Sequence, residues 1–187
     1  MTVPHSSTFL TDITGFYGRR GSGKTTLALT LAKAANPPRI AVIDPVDIER
    51  RGVPFQKACH QLEAGQNVYC SDPNPDALRE FLFCVALKST REAPWYVICD
   101  EAPMYLGTMS AGLQKISFQG RHAGLGMAIV TQRPAAIPPD FRENMSGHYF
   151  MALSGENNLK TATTILGTDR AKALASLPVG GFDYQAT

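Results

Sequence analysis

Short apolar runs alternate along the chain with segments whose apolar residues have helical spacing. The runs that predict strands lie near residues 13–17, at RIAVID, NVYC, WYVICD, GMAIVTQ and HYFMAL, and near residues 182–184. WYVICD is apolar almost throughout, which is typical of a strand covered by helices on both faces of a sheet. This alternation predicts an α/β domain of three layers with a mostly parallel central sheet.

Capping residues mark where several predicted helices begin and end. A first helix is expected from about Lys24 until Asn36, where two prolines follow. Asn74 followed by Pro75 predicts a cap and a first helical residue. Two later helices are predicted at NNLKTATTILG and around 169–176, whereas residues 45–66 are expected to form an irregular crossover with room for one short helix.

Length, charge and cysteine content limit the classes of protein. The 187 residues fit one domain, 1–187, with residues 1–12 expected to be a flexible lead-in. The net charge is only +2, so a nucleic-acid surface would have to be a local patch or the pore of an oligomer. The four cysteines form no C-x-x-C pair, which favours reduced thiols in the cytoplasm. No apolar run approaches the ~20 residues that span a bilayer, so no transmembrane segment is predicted.

A glycine-rich segment between the first predicted strand and helix carries the clearest chemical signal. Residues 18–25 read GRRGSGKT, a full match to the phosphate-loop pattern G-x-x-x-x-G-K-[ST]. Its glycines let backbone N–H groups point at phosphate oxygens, and the helix that follows adds the positive end of its dipole. Lys24 is expected to reach the β- and γ-phosphates of ATP, and Thr25 to bind Mg²⁺. The predicted nucleotide-binding residues are Gly18, Gly21, Ser22, Gly23, Lys24, Thr25 and Thr26, while Arg19 and Arg20 stay unassigned.

Polar residues follow two further apolar strands. Asp100 is predicted to hold the water shell of Mg²⁺, and Glu101 to orient and deprotonate the attacking water. Gln132 can sense the γ-phosphate or that water, provided that its strand lies between those that lead to Gly18 and Asp100. An acidic pair that merely ends a strand, and a turn set by Pro134, are the alternatives. The residue types predict an ATPase.

The segments GRRGSGKT, YVICDEA and GRHAGLGMAIVTQRPAAIP, with the ending LPVGGFDYQ, resemble the FtsK–HerA superfamily of P-loop ATPases. The resemblance covers nearly the whole chain from Phe16 onward, and it implies a RecA-like fold of the additional-strand, catalytic-glutamate type. The bare motor core looks most like the genome-packaging ATPases of tailless icosahedral viruses that contain membranes. Alternatives are a cellular HerA-like or conjugation translocase, a Zot-like phage assembly ATPase, a small P-loop kinase and a nucleotide-dependent switch.

This resemblance also implies the partners of the protein. They are DNA, expected to be double-stranded, other copies of the chain in a ring of five or six, and a capsid vertex or membrane-associated packaging protein. Work of this kind takes place in the cytoplasm, that of the host for a viral protein, or in association with the virion.

Several basic residues are candidates for roles in such a ring. A strand of about seven residues separates Arg121 from Gln132 by ~20 Å, so Arg121 is not expected to reach the γ-phosphate of its own subunit. It is therefore proposed as an arginine finger that acts on the ATP of a neighbouring subunit. Arg142 is the second candidate, and a surface ion pair is the alternative for Arg121. Candidate DNA contacts in two predicted loops, for which a solvated polar face fits equally well, are Arg50, Arg51, Lys57 and Lys115.

Overall fold

The computed structural model describes residues 9–47, 51–107 and 109–187, and its centre is a seven-stranded sheet. The strands are β1 Ile13–Tyr17, β2 Ile40–Ile43, β3 Val68–Cys70, β4 Trp95–Cys99, β5 Leu125–Thr131, β6 Gly147–Met151 and β7 Phe182–Ala186. Their order across the sheet is β3-β2-β4-β5-β1-β6-β7. All neighbours are parallel except β7, which runs antiparallel to β6. The predicted strands are therefore confirmed, and so is the position of β5 between β1 and β4.

Helices connect these strands. They are α1 Lys24–Ala35, α2 Phe55–Glu63, α3 Pro75–Lys88, α4 Pro103–Leu106, α5 Ala111–Gln119, α6 Pro139–Glu143, α7 Glu156–Leu166 and α8 Thr168–Ala173. Asn74 caps α3 as predicted, since its side chain accepts a hydrogen bond from the backbone N–H of Asp76. α1 ends as predicted at Asn36, which adopts a left-handed conformation.

The sequence prediction that Lys115 lies in a loop after Glu101 is wrong, because that segment contains α4 and α5. Ser110 begins α5 by accepting a hydrogen bond of 3.3 Å from the backbone N–H of Leu113. Only Leu113 and Ile116 of this nine-residue helix are buried. So short an apolar stripe is weak evidence in the sequence, and packing stabilises the helix.

Apolar side chains cover both faces of the sheet, which gives the predicted three layers. On one face α1 packs against Phe16, Ile98 and Val130. On the other face Val97 and Ile129 pack with residues of α2, α3, α5 and α7. Alternate residues of β4 thus enter different layers, and all five are buried. The fold is the predicted α/β domain with a mostly parallel sheet.

The sheet brings the carboxyl ends of three strands together. Tyr17 of β1 is paired with Thr131 of β5, and Cys99 of β4 is paired with Ile129 of β5. Backbone hydrogen bonds extend this edge, from Gly18 to the carbonyl of Thr131 at 3.3 Å and from Ala102 to that of Val130 at 3.1 Å. The polar segments that follow these strands consequently meet at one edge of the sheet. Within the described ranges, no helix has the length and apolar character needed to cross a membrane.

Candidate active site

The phosphate loop is a tight turn held against the sheet edge. Gly21 and Gly23 have φ values of 75° and 98°, a region that residues with a Cβ rarely adopt. The N–H of Arg19 donates to the carbonyl of Ala152 at 2.7 Å, and the N–H of Gly180 donates to the carbonyl of Ser22 at 3.0 Å. Segments after β6 and before β7 therefore hold the loop in place.

Lys24 and Thr25 begin α1 directly after this loop. Lys24 is buried, and its ammonium donates to the carbonyl of Arg19 at 3.1 Å, so the side chain reaches back to the beginning of the loop. Burial lowers the pKa of Lys24, and the nearby carboxylates of Glu101 and Asp100 oppose that shift. The hydroxyl of Thr25 donates to Oδ2 of Asp100 at 3.0 Å. Thr25 and Asp100, 75 positions apart in the sequence, are thereby in direct contact.

Asp100 occupies the end of β4 beneath this hydroxyl. Burial raises the pKa of Asp100, whereas the hydrogen bond from Thr25 lowers it and the charge of Asp44 adds to the increase. A hydroxyl and a carboxylate oxygen side by side are hard ligands of the kind that Mg²⁺ prefers, and Mg²⁺ keeps several waters and is commonly bound by one or two carboxylates with substrate phosphates. The pair thus fits the ion that the sequence implied.

Glu101 and Gln132 form a second polar pair at the ends of β4 and β5. The amide Nε2 of Gln132 donates a hydrogen bond of 2.6 Å to Oε1 of Glu101. Glu101 has φ 43°, a left-handed conformation that costs a non-glycine residue roughly 1 kcal/mol. Strained backbone of this kind is often found where a side chain must point in one direction for function. Here it directs the carboxylate toward the amide of the neighbouring strand.

One cavity of about 490 Å³ joins these groups. Of the predicted site residues, it is lined by Gly21, Lys24, Thr25, Asp100, Glu101 and Gln132. Gly18, Ser22, Gly23 and Thr26 belong to the loop and the first turn of α1, outside the lining. Ser22 is buried, with its hydroxyl 4.0 Å from the sulfur of Met151.

The cavity also has walls for which the sequence reasoning gave no role. They are formed by Arg20, Asp44, Val46 and Met104. A signal for Asp44 was present, since it follows an apolar strand just as Asp100 does. The contribution of Met104 could not have been found in this way, because it depends on α4.

The two candidate arginine fingers lie away from this cavity. Arg121 precedes β5, at the opposite end of the strand from Gln132, and its Nε is 3.8 Å from Oδ1 of Asp12. Its side chain is nevertheless 60% exposed and available to a neighbouring molecule. Arg142, in α6, donates from Nη1 to the carbonyl of Pro134 at 2.8 Å.

The basic residues considered for DNA contact are spread over different elements. Arg51 is exposed near the start of the crossover, and Arg50 lies outside the described residues. Lys57 and Lys115 are exposed on α2 and α5, so they belong to helices and the expected loop positions are wrong.

Comparison with solved structures identifies the fold. The genome-packaging NTPase B204 of Sulfolobus turreted icosahedral virus 2, in complex with AMPPCP, matches with a TM-score of 0.77 and 21% identity, over 94% of this chain and 92% of that one. B204 of Sulfolobus turreted icosahedral virus, a DNA-packaging ATPase, matches with a TM-score of 0.76 and 23% identity, over 95% and 93%. The chain has the fold of the viral genome-packaging NTPases.

A curated relative extends the likeness to sequence. HerA of Methanocaldococcus jannaschii, named for DNA double-strand break repair, is 30% identical over 95 residues, which are 46% of this chain. The chain spans about a fifth of that protein's length, 19%. No protein-family model matches the chain. The likeness in fold to genome-packaging NTPases and the partial likeness in sequence to a HerA helicase both agree with the resemblance found in the sequence.

Proposed function

We propose that the chain hydrolyses ATP with Mg²⁺ and uses the energy to move DNA, as a genome-packaging motor of an icosahedral virus. The observation that carries this proposal is the meeting of Lys24, the Thr25–Asp100 pair and the Glu101–Gln132 pair in one cavity at the carboxyl edge of the sheet. A cation, a metal-binding pair and a base beside an amide are the groups that phosphoryl transfer to water requires.

Each group has a separate task in hydrolysis. The phosphate loop cradles the triphosphate with its N–H groups, and Lys24 stabilises the negative charge that develops on the transferred phosphoryl group. When bound at Thr25 and Asp100, Mg²⁺ would neutralise charge on the β- and γ-phosphate oxygens. Glu101 accepts a proton from the attacking water, and Gln132 orients the water or the carboxylate. Gly18, Ser22, Gly23 and Thr26 support the loop around the phosphates.

The lowered pKa of Lys24 is consistent with this role. Burial disfavours its charged form in the protein alone. A triphosphate beside the ammonium would stabilise that form, so binding would favour the protonated lysine and strengthen the contact. Lys24 would therefore carry its positive charge most fully when the nucleotide is bound.

Substitution of Lys24 tests the proposal. Lys24→Ala removes the main cation, so we expect ATP hydrolysis to fall by more than tenfold, and double-stranded DNA to stimulate the wild type but not the variant. Lys33→Ala is the matched control, because Lys33 is an exposed lysine of the same helix. Hydrolysis by Lys24→Ala within tenfold of the wild type would contradict the site, and a wild-type rate indifferent to DNA would contradict the motor.

Assembly belongs to the same proposal. The chain would act as a ring of five or six copies around double-stranded DNA, in which Arg121 lies at a boundary between subunits and acts as a finger in trans; the exposure of its side chain supports this part of the proposal. Such a motor would work in the host cytoplasm at a capsid vertex or with a membrane-associated packaging protein.

A HerA-type translocase is the second candidate, favoured by the 30% identity to that helicase. Nuclease-protected DNA in particles assembled with the wild type, and its loss with Lys24→Ala, would decide for packaging.

A further inference from the structure

We propose that Asp44 is a second acidic residue of the magnesium site, where its carboxylate accepts a hydrogen bond from water on the ion that accompanies ATP. This inference rests on the proposed ATPase function and deepens it. No role for Asp44 follows from the phosphate-loop pattern, and the resemblance to packaging ATPases rests on other segments.

Sheet register places Asp44 beside Asp100. Ile43 of β2 is paired with Cys99 of β4, and the N–H of Asp100 donates to the carbonyl of Ile43 at 2.8 Å. Asp44 and Asp100 are the next residues on strands about 4.8 Å apart. Both line the cavity that also contains Thr25. The two carboxylates therefore face the same space as the hydroxyl that is expected to bind the metal.

Hydrogen bonds hold the Asp44 side chain in one orientation. Its Oδ1 accepts from the N–H groups of Val46 at 2.9 Å and Asp47 at 3.0 Å, and its Oδ2 accepts from the hydroxyl of Tyr69 at 2.6 Å. Two carboxylate oxygens offer about four acceptor positions. Three are occupied, so one remains for a donor in the cavity. Asp44 is only 9% exposed, so neighbouring residues as well as these hydrogen bonds restrict the orientation of its carboxylate.

Charge explains why this arrangement suits a cation. The charge of Asp44 contributes to the raised pKa of Asp100, so the two carboxylates repel each other. Lys24 interacts with Glu101 and Asp100. Among the described residues, no lysine or arginine forms an ion pair with Asp44. A divalent cation between phosphate, Thr25 and Asp100 would relieve this repulsion, and its bound water molecules are hydrogen-bond donors to carboxylates.

The experiment compares Asp44→Asn with Tyr69→Phe in binding of a non-hydrolysable ATP analogue at increasing Mg²⁺. Asparagine keeps an oxygen for the N–H groups of Val46 and Asp47 but removes the charge. We expect Asp44→Asn to raise the half-saturating Mg²⁺ concentration about tenfold, as loss of an outer-shell metal contact does. Binding of the analogue without metal should be unchanged or tighter. Tyr69→Phe keeps the carboxylate and should shift the Mg²⁺ dependence by less than threefold.

The outcomes separate this inference from the proposed function. An unchanged half-saturating concentration in Asp44→Asn overturns the role of Asp44. Equal weakening of analogue binding with and without Mg²⁺ also overturns it, because that result indicates that Asp44 only stabilises the turn that follows β2. A wild type that binds no analogue at any Mg²⁺ concentration refutes the ATPase proposal itself. Direct titration with Mn²⁺, followed by electron paramagnetic resonance of the free ion, gives a readout that needs no turnover.

Discussion

Acid stability should depend on one buried histidine beside β1. His148 of β6 is 2% exposed, and its Nδ1 lies 3.2 Å from the hydroxyl of Tyr17, the residue before Gly18. Burial lowers the pKa of His148 from 6.5 to about 4, and the positive charge of Arg142 adds to the decrease. The folded protein therefore favours the neutral imidazole.

The sign and size of the effect follow from linkage. Because the pKa is lower in the folded state, the unfolded state binds the proton first as the pH falls below 6.5. The contribution of neutral His148 to the free energy of unfolding is thus fully present above pH 6.5 and is lost between pH 6.5 and 4. Each pKa unit corresponds to about 1.4 kcal/mol, so the loss reaches about 2 kcal/mol at pH 5 and about 3 kcal/mol at pH 4.

Urea unfolding at pH 7 and pH 5 measures this loss. His148→Gln cannot titrate, so the difference in free energy of unfolding between wild type and variant should change by about 2 kcal/mol in favour of the variant between these pH values. His60→Gln, at an exposed position of α2, is the matched control and should follow the wild type. A constant difference between wild type and His148→Gln across this range would refute the reasoning.

Two further predictions concern hydrolysis. Glu101→Gln keeps a side-chain oxygen for the amide of Gln132, so equilibrium binding of ATP with Mg²⁺ should persist. The rate of single-turnover hydrolysis should fall about 10²–10⁴-fold, because the variant lacks the carboxylate that accepts the proton of the attacking water. A normal rate would exclude Glu101 as the base. Mixing Lys24→Ala with Arg121→Ala should restore part of the activity, because an intact Arg121 from the first can serve the intact site of the second. No recovery in oligomers shown to be mixed, or normal hydrolysis by Arg121→Ala alone, would contradict a finger in trans.

Local signals in the sequence predicted a large part of the fold. β4 is apolar at every position, and Asn74 with Pro75 marks the beginning of α3; both are properties of a few neighbouring residues. The phosphate loop is equally local, since its glycines, lysine and threonine act within one turn. Short helices such as α5 escaped prediction because two buried residues give little periodicity.

The amino-acid sequence by itself determined the succession of the strands along the chain, the longer helices between them, the phosphate loop and the acidic pair at the end of β4. Only the tertiary structure decided that Thr25 contacts Asp100, that Gln132 contacts Glu101 and that Asp44 shares their cavity. These contacts join strands that are neighbours in the sheet and distant in the chain. The physical reason is that sheet order depends on the packing of helices on both faces, which no local pattern of residues specifies.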